Sequence, residues 1–168
     1  MLISRCYVSG GPRLRTGELE AEAPSERITA EQLEVWRTFV RALNRVIRRL
    51  EEDLQSKHHM PLAWYEVLAR LVEADRHRLR MTELADLVML SPSGLTRLID
   101  RLVSEGLVRR EHAEQDGRGL YAVLTDAGYQ RVREASGTHL RGIREYVISR
   151  FSDKELATVA AYLSRLEE

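Results

Sequence analysis

The chain has 168 residues, of which 43% are hydrophobic and 31% charged; 26 Lys and Arg balance 26 Asp and Glu, and the mean hydropathy is -0.35. These values suit one domain with attached helices and exclude collagen-like or wholly disordered chains, while no apolar run reaches the roughly 18 residues of a membrane span. A balanced charge makes no case for nucleic acid or an anionic membrane, so any such partner must be read from local geometry. Cys6 is the single cysteine. It leaves no intramolecular disulfide and no cysteine-based zinc cluster, and Met1-Leu2-Ile3 runs straight into Ser4-Arg5 instead of a secretory apolar stretch. The expectation is a cytoplasmic protein with no metal or cofactor.

Residues 1–27 carry Gly10, Gly11, Pro12, Gly17 and Pro24 without any sustained period, and read as a flexible tail. Thr29-Ala-Glu-Gln32 has the form of a capping box and predicts a helix start. Leu33, Trp36, Val40, Leu43, Ile47, Leu50 and Leu54 then recur at spacings of 3 and 4, one narrow stripe along a long helix. That stripe fits either a partner helix or a bundle core. A second helix is expected over Pro61–Ala74, with Tyr65, Leu68, Ala69 and Val72 on one face. Arg76, Arg78 and Arg80 follow as a short connection, either solvated or in contact with phosphate.

Thr82 to Leu90 reads as a short helix with Thr82 as its cap. Ser91-Pro92 supplies a new cap and a first-turn proline, and the next helix stops at Gly106. Leu95, Leu98, Ile99, Leu102 and Val103 gather on one side, and Ser93, Arg97, Asp100 and Ser104 on the other. Two helices across so tight a turn describe either a helix-turn-helix or an ordinary amphipathic pair. In the first case the small polar groups Ser91, Ser93, Gly94 and Thr96 let the backbone approach a major groove, while Arg97 reaches a guanine edge or a phosphate. Leu107–His112 and Leu120–Thr125 then predict a β-hairpin around the polar connector 113–119. At its tip Asp116 can brace Arg118 toward a minor groove, whose potential favours arginine.

The segments Met81-Thr-Glu-Leu-Ala, Leu90-Ser-Pro-Ser-Gly-Leu-Thr-Arg-Leu-Ile-Asp-Arg-Leu, Glu105-Gly-Leu-Val-Arg-Arg110, Asp116-Gly-Arg118 and Val123-Leu-Thr-Asp-Ala-Gly128, in this order, strongly resemble the MarR family of bacterial transcriptional regulators. The resemblance covers about residues 29–168. It implies a mainly α fold with a small β-hairpin wing, a winged helix-turn-helix over about 61–125 and dimerisation helices over about 29–57 and 126–168. It further implies an obligate homodimer that binds a double-stranded DNA operator, with Ser91, Ser93, Gly94, Thr96, Arg97, Arg101, Asp116 and Arg118 as the DNA-binding set. Gly117 stands where members commonly carry a second basic residue. From Arg76 to Arg118 eight arginines face seven acidic residues. DNA binding therefore requires Glu83, Asp86 and Glu105 to point away and Asp116 to engage Arg118.

Beyond the hairpin, Thr125 is expected to cap a helix through Arg133, with a later stretch from Leu140 bent by Gly137 and Gly142. Ser152-Asp-Lys-Glu155 repeats the capping box, and Leu156, Val159, Leu163 and Leu166 form a further stripe. Family members bind small ligands between the helical part and the winged lobes. For a small aromatic or anionic effector the candidate lining is Trp36, Arg37, Arg41, His58, His59 and Trp64, the tryptophans having simple core packing as their alternative. Adjacent His58 and His59 are poorly placed to share a metal ion and read as a solvated helix end. No nucleophile elbow, phosphate loop or metalloprotease motif points to catalysis. The rival to a DNA-binding regulator is a winged-helix module that binds protein, since fold alone does not fix function.

Overall fold

In a computed structural model, which describes residues 27–112 and 119–166, the chain divides into two compact units, Met1–Asn44 and Arg45–Glu168. The 29-residue helix α1 (Ala30–His58) begins in the first. Its capping box forms as the sequence predicts: the Thr29 N–H donates to Gln32 Oε1 at 2.8 Å and the Gln32 N–H to Thr29 Oγ1 at 3.2 Å. Within this unit Val35, Trp36, Phe39 and Leu43 are exposed, Trp36 by 59%.

The second unit holds the core. Leu50 and Leu54 of α1 join Leu68 and Leu71 of α2 (Leu62–Glu73), Leu84 of α3 (Met81–Leu87) and Ile99 of α4 (Pro92–Ser104), all buried. The three-residue strand β1 (Arg78–Arg80) was expected as mere connection. It pairs with β3 (Leu120–Leu124), which pairs on its other side with β2 (Val108–His112), giving an antiparallel sheet in the order β1-β3-β2. A strand this short has no period of its own, and its register, Arg80 opposite Tyr121, is set by its partner. The start of α3 also differs from the expectation. Arg80, not Thr82, is the N-cap, and its N–H donates to Glu83 Oε2 at 3.1 Å.

Helix α5 (Asp126–Tyr146) is continuous through Gly137 and Gly142, where a bend between two stretches was expected. Gly142 instead lets α5 approach α1 closely, since a Cβ there would lie 2.6 Å from Leu50 Cδ2. Val147, at φ -124 and ψ -69, ends the helix. Thr125 fixes its start: Oγ1 accepts the Gly128 N–H at 3.0 Å, and its proton lies within reach of the Gly106 and Leu107 carbonyls at 2.7 and 3.0 Å. Helix α6 (Asp153–Leu163) starts with the expected box, the Ser152 N–H donating to Glu155 Oε2 at 2.8 Å. Its apolar residues Val159, Tyr162 and Leu163 are exposed.

Candidate nucleic-acid interface

Helix α3 ends in a Schellman turn. The Met89 N–H donates to the Asp86 carbonyl at 3.2 Å and the Leu90 N–H to the Ala85 carbonyl at 3.0 Å, with Met89 left-handed at φ 52. Ser91 follows at once as the cap of α4. Its Oγ accepts the Gly94 N–H at 3.2 Å and lies 3.4 Å from Ser93 Oγ. A Cβ at Gly94 would stand 3.1 Å from that Oγ, so glycine keeps the cap uncrowded. Pro92 occupies the first turn, where its missing N–H costs nothing, and its carbonyl accepts from Thr96 Oγ1 at 2.8 Å. Helix α4 ends in a second Schellman turn at Gly106, φ 72.

Leu95, Ile99 and Leu102 are buried, while Ser93, Thr96, Arg97, Asp100, Arg101 and Ser104 are exposed. Val103, expected inside, is partly exposed. Among the described residues the Arg97 and Arg101 guanidinium groups have no hydrogen-bond or ion-pair partner. Two unengaged cations beside small polar groups on one helix can meet base edges and phosphates. Asp116 and Arg118 lie outside the described residues.

Sequence reasoning missed the engagement of the remaining arginines. Arg110 Nη1 donates to Asp100 Oδ1 at 2.6 Å, joining β2 to α4. On the opposite face of the sheet Arg78 and Arg80 lie over the Tyr121 ring, 5.0 and 5.4 Å from its centre, and Arg109 pairs with Glu111. The signal available was strand alternation, which sends Arg109 and Arg110 to opposite faces. A cleft of about 260 Å³ between His77 and the start of α5, lined by Thr125, Asp126 and Tyr129, was likewise not anticipated.

The residues suggested for an effector have varied surroundings. In the first unit Trp36 packs obliquely on Phe39, with ring centres 6.4 Å apart. Arg41 donates to Glu34 Oε1 at 2.6 Å, a bond that draws the Glu34 carboxyl below its usual range, and Arg37 lies 3.9 Å from the same carboxylate. In the second unit Trp64 is half-buried against the core. His58 is held rather than solvated: its Nε2 is 2.8 Å from Thr138 Oγ1, and Arg131 donates to its carbonyl. His59 is exposed in a left-handed turn at φ 49.

Helix, turn, helix and antiparallel hairpin define a winged helix-turn-helix protein. The sequence model of the MarR family matches residues 58–119. Over 124 residues the chain is 28% identical to the HTH-type transcriptional regulator PecS of Dickeya dadantii, covering 73% of this chain and 74% of that protein. It is 33% identical over 91 residues to the HTH-type transcriptional repressor YetL of Bacillus subtilis, 54% of each chain. Its fold is similar to that of Sco3205, a MarR family transcriptional regulator of Streptomyces coelicolor solved in complex with DNA. The TM-score is 0.80 and the identity 34%, over 84% of this chain and 89% of that one. The chain belongs to the MarR family, whose members are transcriptional regulators and not enzymes. Among the described residues no helix is long and apolar enough to cross a membrane.

Proposed function

We propose that this regulator is a cytoplasmic repressor that binds a pseudo-palindromic operator as a homodimer and is released by a small effector. The observation that carries the reading is the exposed side of α4, where Arg97 and Arg101 stand without partners among the described residues. In this reading Ser91, Ser93, Gly94 and Thr96 allow close approach to the major groove, Arg97 reads a guanine or grips a phosphate, and Arg101 adds a further cation. Asp116 orients Arg118 at the wing toward the minor groove. Residues of about 61–125 form the reading head, and helices within 29–57 and 126–168 form the dimer. The names of PecS and YetL, a regulator and a repressor, support regulation of the repressing kind.

Support for a second copy comes from apolar surface. Trp36, Phe39 and Leu43 are exposed in the first unit, and Val159, Tyr162, Leu163 and Leu166 near the end of the second. Apolar faces of this kind suit burial against an identical chain. For the effector, each unit offers candidate groups of its own: Trp36 with Arg37 and Arg41 in the first unit, and Trp64 with His58 and His59 in the second, an aromatic wall beside polar or cationic groups in each case.

Selection of duplexes by the full chain from a randomised library, with sedimentation of the free protein, tests the proposal. Enrichment of an inverted repeat with half-sites about 10 base pairs apart is expected, together with a dimer at micromolar concentration. A stable monomer of 19.3 kDa, or no enriched sequence, overturns it.

A further inference from the structure

The exposed side of α4 carries one carboxylate among its polar groups. Asp100 lies three residues beyond Arg97 and seven beyond Ser93, spacings that place all three on one side of the helix. An uncompensated carboxylate there opposes the phosphates of any approaching duplex. Asp100 is compensated, however, and by a residue outside the helix. Arg110 Nη1 donates to Asp100 Oδ1 at 2.6 Å, and Arg110 Nη2 donates to the Thr96 carbonyl at 3.3 Å. One planar guanidinium thus holds a side chain of α4 and the backbone one turn earlier, a span its rigid fork suits and a lysine ammonium does not.

Arg110 is unlike Arg97 and Arg101 of α4, whose guanidinium groups have no partner among the described residues. It pairs in register with Ala122, which is fully buried, on the sheet face that also carries Val108 and Leu124. Its side chain is 29% exposed, and its Nε is enclosed with no acceptor among the described residues. Arg109 next to it points to the other face and pairs with Glu111. A guanidinium so enclosed and doubly engaged is poorly placed to grip a phosphate, yet it sits directly against the helix that carries Arg97.

We propose that Arg110 is a positioning residue for base recognition. It fixes α4 at one setting against β2 and cancels the Asp100 charge on the side that meets DNA. The inference rests on α4 being the DNA-reading helix. It separates two functions of one residue: the charge of Arg110 governs affinity for any duplex, and its fork governs discrimination between duplexes.

The test uses the full chain, a duplex enriched by that chain from a randomised library, and a scrambled duplex of equal composition. Arg110→Met should weaken binding to the enriched duplex about tenfold more than to the scrambled one. The salt slope on the scrambled duplex should stay that of the parent, because no phosphate contact is lost. Arg110→Lys should retain affinity for the scrambled duplex but lose discrimination, and Asp100→Asn added to Arg110→Met should restore scrambled-duplex affinity alone. If Arg110→Met does not fold, Arg110→Lys against the parent makes the same comparison. Equal weakening on both duplexes with a salt slope reduced by about one would identify a phosphate contact and overturn the proposal. Unchanged discrimination with a lowered melting temperature would reduce Arg110 to a structural brace. Should the parent itself enrich no sequence, the DNA-reading function of α4 fails first, and this inference with it.

Discussion

The Tyr146 hydroxyl donates a 2.6 Å hydrogen bond to Asp53 Oδ2, tying the last turn of α5 to α1 within the second unit. The bond draws the Asp53 carboxyl below its ordinary value and pushes the Tyr146 phenol up to about 12. The carboxylate therefore stabilises the fold above pH 3.8 and ceases to do so as pH falls through its lowered pKa; the phenol does so below pH 10 and ceases as pH rises through about 12. Tyr146→Phe should cost about 1 to 2 kcal/mol at neutral pH and flatten both limbs of the stability profile. Urea titrations between pH 3 and 11 measure this, and parallel profiles for variant and parent would refute it.

A second pH-dependent contact joins α2 to α5 at His139. Its ring lies 4.3 Å from that of Tyr65, and burial holds its pKa below the ordinary 6.5. The neutral ring contributes stability above pH 6.5 that is lost as pH falls through the lowered pKa. Replacement by Phe should remove the dependence on that acid side. An NMR titration placing the His139 midpoint at or above 6.5 would contradict the prediction.

Three glycines of α5 should respond to alanine in a fixed order. At Gly128 a Cβ collides with the Leu107 carbonyl oxygen, a backbone atom that cannot swing aside. At Gly142 it meets the end of the Leu50 side chain at 2.6 Å, and at exposed Gly137 only Arg141 Nη1 at 3.4 Å. Gly128→Ala should therefore be the most damaging, Gly142→Ala should cost about 1 to 3 kcal/mol, and Gly137→Ala should stabilise by about 0.5 to 1 kcal/mol. Any other order in thermal or chemical denaturation would show that close helix approach does not explain these residues.

The two Schellman turns offer an opposed pair. Met89 adopts φ 52 while 84% exposed, so glycine there relieves backbone strain and forfeits little packing. Met89→Gly should gain up to about 1 kcal/mol, and Gly106→Ala, at φ 72 with open space around its Cβ, should lose about 1 kcal/mol. Matched denaturation curves of the two variants decide it.

The parts of this fold legible in the sequence are those encoded over a few neighbouring residues. Thr29 with Gln32, Ser91 before Pro92, Ser152 with Glu155 and Gly106 after α4 each carry a local cap. What escaped depends on partners distant along the chain. Arg78–Arg80 becomes a strand because β3 offers an edge, and the close approach at Gly142 depends on where Leu50 arrives. The Arg110–Asp100 pair crosses a helix end and a strand start. Helical spacing did separate the exposed Arg97 from buried Ile99, but it carried no information on which arginines would find partners.

Helix α4, with Arg97 on its exposed side, is the element proposed to read sequence in duplex DNA. Its most direct test is the affinity of the full chain for its library-selected duplex relative to a scrambled one at about 150 mM salt, with Arg97→Ala alongside. A ratio of roughly a thousandfold or more is expected for the parent, and one reduced by about 5- to 150-fold for the variant. A ratio near one for the parent, or an undiminished ratio for Arg97→Ala, would contradict it.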